Sequence, residues 1–206
     1  DLSKFPAMAD RMQQGILAQL VLARALIDPR SFPQLRQFTS RDGAVSYFTD
    51  QVYFDGNSQG AIMGAAATAV ATDWKRATLG VPGMNYSTLL QRSTDWNTYS
   101  KVMDPAYPDE ADRQIVFGLA QMLWDRGEAG GYVQHLTDDP YPKTPKHQVI
   151  LAVAFGDHQV ANVATQRLAR TVGTKLRTPA LAAGRSPDVE PFWGLEPVAS
   201  FPTHDS

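Results

Sequence analysis

A serine between two glycines is the arrangement in this sequence with the clearest chemistry. Gly56, Ser58 and Gly60 form the pattern Gly-x-Ser-x-Gly, with Asn57 and Gln59 between them. In this pattern a sharp turn from a strand into a helix exposes the serine hydroxyl, and the glycines let neighbouring chain pass close by. The helix N-terminus directs N–H groups and partial positive charge at the same point. The pattern therefore predicts Ser58 as a nucleophile and the N–H of Gln59 as a donor to an oxyanion.

The same pattern also arises by chance as an ordinary glycine-rich turn, so its flanks decide between the two interpretations. Residues 51–54 are rich in valine and aromatic side chains, which predicts a short strand. Residues 61–72 are small and apolar, which predicts a helix that packs tightly against a sheet. The order of strand, motif and helix favours the nucleophile.

A serine hydroxyl is a poor nucleophile without a base and a group that orients the base. Where a serine of this motif reacts, the chain order is serine, acid and then histidine. Asp157 directly follows residues 147–155, the clearest predicted strand, and leads into a predicted helix. His204 follows residues 193–201, the last predicted strand. The sequence therefore predicts Asp157 as the acid and His204 as the base.

Other roles remain open for both residues. Asp157 is also a residue type that caps turns and helices, and His204 is also a histidine of the chain end without a role. His158 competes as the base, but beside Asp157 its ring would have difficulty facing both that acid and Ser58. If His158 were the base, the acid would come from another loop. The candidates for that acid are Asp104, Asp138 and Asp139.

The remaining polar candidates are assigned lesser roles. We expect His158 and Asn57 to line the pocket beside the nucleophile, and His135 and His147 to have structural or surface roles. There is no His-Glu-x-x-His pattern, no phosphate-binding loop and no dinucleotide fingerprint, which predicts no metal and no cofactor.

The elements that must position these residues alternate between helix and strand. The predicted helices are 8–27, 61–72, 109–124, 132–136 and 160–172, and the predicted strands are 51–54, 76–81, 147–155 and 193–201. Residues 85–107 look irregular. The nearly continuous apolar run 147–155 predicts burial on both faces, as in a parallel sheet. The pattern predicts a single α/β domain over residues 1–206, with a mostly parallel sheet flanked by helices.

Composition narrows the class of protein further. The net charge of −2 predicts no nucleic-acid surface, and the absence of cysteine excludes disulfides and thiolate nucleophiles. The longest apolar stretch, residues 61–71, is too short to span a bilayer. Composition leaves the compartment open, including export to the periplasm or the medium.

The chain resembles the α/β-hydrolase superfamily over about residues 1–204. The resemblance rests on the strand-to-helix turn at residues 56–60, called the nucleophile elbow in that superfamily, on the loop 156–160 and on the late His204. The opening residues 1–15 resemble the helix before the elbow strand in bacterial members. The resemblance implies a serine hydrolase of the esterase or lipase kind that acts on a small-molecule acyl substrate. A peptidase or amidase would use the same triad, and a non-catalytic binding or structural protein would be built on the same scaffold.

The chain departs from this superfamily before the elbow, where several strands are usual. Here the residues before Ser58 predict a helix, a loop and one short strand. The resemblance therefore implies that the early strands and the second oxyanion donor lie in an N-terminal segment missing from this chain. It also implies that this segment accompanies the active protein, because unpaired sheet edges associate.

Aromatic residues concentrate in the segment between the second and third predicted strands. They predict a cap-like insertion over residues 85–141 that lines an apolar acyl pocket, with ordinary core packing as the alternative. These residues are Tyr86, Trp96, Tyr99, Tyr107, Trp124, Tyr132 and Tyr141.

Overall fold

Three parallel strands form the central sheet of the protein, in the order β1-β2-β3. They are β1 (Phe54–Asn57), β2 (Arg76–Gly80) and β3 (Gln148–Ala152). The computed structural model of this chain describes residues 2–186 and 190–201. Because all three strands run the same way, their carboxyl ends meet at one edge of the sheet.

Helices make up most of the regular structure. They are α1 (Phe5–Ile27), α2 (Gln59–Ala69), α3 (Tyr86–Leu89), α4 (Trp96–Ala106), α5 (Glu110–Trp124) and α6 (Asn162–Val172). The combination of a small parallel sheet with helices confirms the predicted mixed α/β class. Among the described residues, no helix is both long and apolar enough to cross a bilayer.

Helix α2 packs closely on the covered face of the sheet because its side chains are small. A Cβ added at Gly64 would lie 2.7 Å from Cζ of Phe54, which a real Cβ does not do. Ala65 is fully buried in the same core, together with Leu79 of β2 and Leu168 of α6. Helices α2 and α6 therefore share one face of the sheet.

The first strand begins where the predicted strand ended. The sequence pattern predicted residues 51–54, whereas β1 covers Phe54–Asn57. Asp, Gly and Asn are poor strand formers. These residues are extended because they pair with β2, with Phe54 opposite Ala77 and Asn57 opposite Gly80. Pairing with a distant segment has overridden local propensity here.

The prediction that residues 147–155 are buried on both faces is wrong for the described structure. Val149 and Leu151 pack against the core, whereas Ile150 between them remains 54% exposed. Gln148 and Ala152 are exposed on the same side as Ile150. A continuous apolar run cannot distinguish one covered face from two, and here α2 and α6 cover only one.

Two further predictions need correction. Residues 85–107 looked irregular but contain α3 and α4. The last strand was predicted over 193–201, but only Pro197–Val198 is a strand, β5. It pairs with β4 (Leu176–Arg177) in a separate two-stranded sheet, so it does not extend the central sheet.

The aromatic residues of the segment between β2 and β3 pack mainly against one another and against α1. The ring of Trp124 lies 5.0 Å from that of Phe5 and 5.7 Å from that of Tyr86, and Trp96 lies 5.3 Å from Phe117. These contacts form the core between α1, α3, α4 and α5. Ordinary core packing therefore accounts for Tyr86, Trp96 and Trp124, whereas Tyr99 remains 54% exposed.

Candidate active site

Ser58 joins the end of β1 to the start of α2 in a strained backbone conformation. Its φ is 56° and its ψ is −123°, a region that costs a residue with a side chain about 1–3 kcal/mol. Three hydrogen bonds hold it there. The N–H of Ser58 donates to the carbonyl of Gly80 at 2.8 Å, and its own carbonyl accepts from the N–H groups of Ala61 and Ile62 at 2.8 and 3.0 Å.

The hydroxyl of Ser58 is not used to cap the helix that it precedes. A serine at the N-cap position normally accepts a hydrogen bond from the first turn through its side chain. Here the side chain makes no such bond, although the carbonyl of Ser58 accepts from that turn as in any N-cap residue. The strained turn therefore leaves the half-buried hydroxyl free for another role.

The two glycines of the motif have different surroundings. A Cβ added at Gly56 would overlap the carbonyl oxygen of Gly60 and lie 2.8 Å from its carbonyl carbon. A Cβ added at Gly60 would meet no described atom within 4 Å beyond its chain neighbours and the adjacent backbone of α2. The close approach predicted for both glycines is therefore seen at Gly56 and not at Gly60. The tight turn requires glycine only at the earlier position.

Gln59 is the first residue of α2 and is exposed. The N–H groups of the first helical turn have no intrahelical acceptor because no turn precedes them. The N–H of Gln59 is therefore available next to the Ser58 hydroxyl, as the oxyanion role requires.

Asp157 follows β3 after a turn at Gly156, whose φ is 76°. Its carboxylate is half-buried. Oδ1 accepts from the N–H groups of Gln159 at 2.8 Å and Val160 at 3.0 Å. The turn-capping role that the sequence left open is therefore present, and it occupies one oxygen of the carboxylate.

Strand order brings Ser58 and Asp157 to the same edge of the sheet. Each follows the carboxyl end of its strand, and β2 lies between the two. Neighbouring strands are about 4.8 Å apart, so the ends of β1 and β3 lie roughly 10 Å apart, and Asp157 lies five residues beyond the end of β3.

The strand between them ends in a second strained residue. Val81 has a φ of 44°, which is unusual for a β-branched side chain. Its N–H donates to the carbonyl of Ala152 at 2.7 Å and so holds the ends of β2 and β3 together. The sequence predicted Val81 only as the last residue of a strand, followed by Pro82 and Gly83, and gave no sign of its strained conformation.

The predicted base, His204, lies outside the described residues. The competing base, His158, is exposed, and its backbone carbonyl accepts from the N–H of Thr94 at 2.8 Å. Two of the three acids considered for His158 are engaged elsewhere. Asp104 pairs with Arg113 at 3.6 Å, and Asp139 pairs with His135 at 3.3 Å.

A long open groove of about 1500 Å³ runs between the uncovered sheet face and the segment that follows α6. Ile150, Phe155, His158 and Asp138 line it, whereas Ser58, Asn57 and Asp157 do not. Asn57 instead directs its side-chain oxygen toward Gly80, where it would contact an added Cβ. Of the two residues expected to line a pocket beside the nucleophile, His158 therefore lines this groove and Asn57 does not.

His147 is buried at the start of β3, at the opposite end of the sheet from Ser58. Its Nδ1 lies 3.3 Å from the carbonyl oxygen of Leu136. Burial lowers the pKa of His147, so the ring is neutral near pH 7. This position agrees with the structural role expected for it.

Glu128 is a buried acidic residue that the sequence did not indicate, and it contacts the start of α3, after β2. Glu128 is fully buried and accepts from the N–H groups of Gly130 at 3.0 Å and Tyr86 at 3.4 Å. It also accepts from the side-chain amide of Gln121. Burial raises the pKa of Glu128 above its ordinary value. The sequence pattern assigned no role to Glu128, because a single acidic residue among glycines gives no sign that it is buried.

The raised pKa of Glu128 predicts a loss of stability with increasing pH. The folded state binds the Glu128 proton more tightly than the unfolded state does. The stability that protonated Glu128 contributes is therefore fully present below the ordinary pKa of a glutamate. This stability is lost as the pH rises through the raised pKa, by at most ~1.4 kcal/mol per pH unit. Urea unfolding of Glu128→Gln between pH 5 and 8 is expected to lack this loss.

Glu128→Ala provides the comparison for that measurement. It leaves the N–H groups of Gly130 and Tyr86 without their acceptor, and we expect it to be about 3 kcal/mol less stable than Glu128→Gln at every pH. Identical pH slopes for the wild type and Glu128→Gln would show that Glu128 does not titrate in this range.

Among the described residues, no group of three or more side chains is arranged to hold a metal ion. Comparison with known protein families, with curated proteins and with solved structures found no match to this chain. The class that its fold defines is therefore a mixed α/β protein with a small parallel sheet and a strained serine at the carboxyl edge.

Proposed function

We propose that this protein is a serine hydrolase of the α/β-hydrolase type that cleaves ester bonds, similar to carboxylesterases and lipases. The observation that carries the proposal is the backbone of Ser58, with φ 56° and ψ −123° directly between β1 and α2. A serine in an ordinary turn does not adopt such a strained backbone conformation, and strained residues cluster at functional sites. The uncapped hydroxyl and the neighbouring N–H of Gln59 add support.

In the proposed reaction, the Ser58 oxygen attacks the ester carbonyl carbon while His204 accepts its proton. Asp157 orients the imidazole and stabilises its charged form. The carbonyl electron pair moves onto oxygen, and the N–H of Gln59 donates to this oxyanion. Collapse expels the alcohol, which takes the proton from His204. Water then attacks the acyl group on Ser58 by the same route and releases the acid.

The contacts of the segment inserted between β2 and β3 favour a role for this segment as a cap beside the site. The N–H of Thr94 donates to the carbonyl of His158 at 2.8 Å, and the Gln159 side chain reaches Asp95 at 3.4 Å. The segment therefore contacts the loop that carries Asp157. We propose that residues 85–141 cover the acyl group of the substrate.

The unpaired edge and the uncovered face of the sheet favour the presence of a further polypeptide segment in the active protein. Within the described residues β1 pairs only with β2, and the sheet face that carries Ile150 is uncovered. Parallel sheets are usually covered on both faces, and open edges associate. We propose that an N-terminal segment adds strands beside β1 and supplies the second oxyanion donor. An intact mass of the natural protein equal to that of this chain would contradict this proposal.

The second candidate is a non-catalytic binding protein on the same scaffold. The capping of the Gln159 and Val160 N–H groups by Asp157 favours it, because this contact gives Asp157 a structural role without any reaction. A chemical probe of Ser58 separates the two candidates.

We expect a fluorophosphonate probe to label the wild-type protein on Ser58, because an activated serine oxygen displaces fluoride from phosphorus. Ser58→Ala should lower labelling by at least ~100-fold. The matched control is Ser100→Ala, whose hydroxyl lies on α4 and donates to Asn97 at 3.4 Å. It should be labelled like the wild type. A folded wild-type protein that is not labelled, or is labelled equally after Ser58→Ala, would favour the binding protein.

The same variants separate esterase from peptidase activity. We expect hydrolysis of a short-chain p-nitrophenyl ester to depend on Ser58, with much slower hydrolysis of the matching anilide. A faster anilide reaction would assign the protein to the peptidases or amidases.

A further inference from the structure

The side chain of Asn162, the first residue of α6, reaches back to the segment that leaves β3. Its Nδ2 donates to the carbonyl of Ala154 at 2.7 Å, and its Oδ1 accepts from the N–H of Gly156 at 2.9 Å. A neighbouring parallel strand would bond to residue 155 through the same two backbone groups. The Asn162 amide therefore takes the place of a strand peptide just beyond the end of β3.

The carbonyl that Asn162 holds also fixes the backbone of Asp157. The N–H of Asp157 donates to the same Ala154 oxygen at 3.3 Å, across a turn in which Gly156 has a φ of 76°. Asp157 lies five residues beyond the end of β3, so the strand alone does not determine its position. The two hydrogen bonds of Asn162 therefore determine where this turn places Asp157.

The carboxylate of Asp157 is oriented by the same loop. Its Oδ1 accepts from the N–H groups of Gln159 and Val160. Among the described residues, no hydrogen bond to Oδ2 is present, so this oxygen is available to an imidazole N–H. With the backbone held by Asn162 and Oδ1 held by the loop, the direction of Oδ2 is set before a histidine approaches.

The contacts of Asn162 serve this loop rather than its own helix. The N-cap residue of α6 is Ala161, and no side chain caps the helix there. Both polar atoms of the Asn162 amide are bonded to the chain before the helix. Asparagine is also a weaker helix former than alanine. Local stability of α6 therefore gives no reason for an asparagine at this position.

We propose that Asn162 is a positioning residue that holds Asp157 in place for the histidine of the triad. This inference rests on the proposed hydrolase function, and Asn162 acts on the reaction only through Asp157. A misplacement of about 1 Å in a catalytic group can cost about 10²-fold in rate. Asn162→Ala should therefore lower kcat by about 10–100-fold, with KM within about twofold of the wild type.

Steady-state kinetics on a short-chain p-nitrophenyl ester, measured above the residual rate of Ser58→Ala, test the role. The double variant Asn162→Ala with Asp157→Asn should fall within about threefold of Asp157→Asn alone, because Asn162 has no further effect once the carboxylate charge is absent. A further 10–100-fold loss in the double variant would show that Asn162 acts independently of Asp157, and would overturn the proposal.

Val163→Ala is the matched control in the same helical turn. The Val163 side chain is 37% exposed and has no polar atom to hold the loop. Its truncation should leave kcat within about twofold of the wild type. A loss in Val163→Ala as large as that in Asn162→Ala would indicate a general effect of the start of α6 and would overturn the proposal.

Asn162→Asp keeps the test valid if Asn162→Ala does not fold. Aspartate has the same size and still accepts from the N–H of Gly156, but it lacks the donor to Ala154. An acidic residue in the first helical turn is favourable, so this variant should fold. Its kcat should fall by at least about 10-fold. A folded Asn162→Asp with wild-type kcat would overturn the proposal.

Fluorophosphonate labelling of the wild type separates the failure of this inference from that of the proposed function. A labelled wild type with an unchanged kcat in Asn162→Ala would overturn the positioning role alone. A folded wild type that is not labelled would contradict the hydrolase, and the positioning role with it.

Discussion

Asp157→Asn is expected to lower kcat/KM for a short-chain p-nitrophenyl ester by about 10³–10⁴-fold. A neutral amide cannot stabilise the imidazolium that forms on His204, and it favours the wrong tautomer of the ring. The amide oxygen can still accept from the N–H groups of Gln159 and Val160, so the turn should be kept. The substitution therefore removes the charge with little change in the fold. Steady-state kinetics together with Tm measures both effects.

The competing acids provide matched controls for that experiment. Asp104 pairs with Arg113, and Asp139 pairs with His135. Asp104→Asn and Asp139→Asn should each leave kcat/KM within about threefold of the wild type, since substitutions at partly exposed ion pairs have small effects.

A different outcome would reassign the acid. If Asp157→Asn kept nearly full activity while Asp157→Ala lost stability, Asp157 would be a turn cap only. If Asp139→Asn were the damaging change, the alternative in which His158 is the base would gain support.

Gly56→Ala is expected to destabilise the fold by about 3 kcal/mol or more, the range of severe steric overlap in a packed site. The added Cβ would overlap the carbonyl oxygen of Gly60, which is part of the helix backbone rather than a movable side chain. Relief requires the first turn of α2 to shift, and that shift would disturb the conformation of Ser58. Urea denaturation measures the loss of stability.

Gly60→Ala is the natural control, because it adds the same methyl group at the other glycine of the motif. A Cβ there meets no described atom within 4 Å beyond its chain neighbours and the adjacent backbone of α2. Alanine also favours helix over glycine by up to about 1 kcal/mol. Gly60→Ala should therefore be neutral or stabilising. Equal losses for the two substitutions would mean that the close approach at Gly56 does not constrain the turn.

The sequence predicted the helices well where the signal is local. The helices α1, α5 and α6 each start within three residues of the predicted position and end at the predicted residue. The apolar periodicity of a helix and its end signals, such as Asp109 before α5 and Gly173 after α6, are contained in a few neighbouring residues. The strand–motif–helix order around Ser58 is local in the same sense.

The tertiary structure decided the features that depend on distant segments. Residues 54–57 became β1 through pairing with β2, against their own propensity. Ile150 remained exposed because α2 and α6 share one sheet face, and an apolar run carries no information about which faces are covered. Glu128 became a buried acid because Gly130, Tyr86 and Gln121 converge on it.

For the candidate site, the sequence by itself determined the residue types and their order along the chain, with Ser58 and Gln59 at a turn and Asp157 after a strand. Only the tertiary structure decided that Ser58 and Asp157 lie at one edge with β2 between them. It also decided that the close approach is at Gly56 and not at Gly60. The physical reason is that motif chemistry is local to a few residues, whereas strand order and steric contact arise only when segments far apart in the chain pack together.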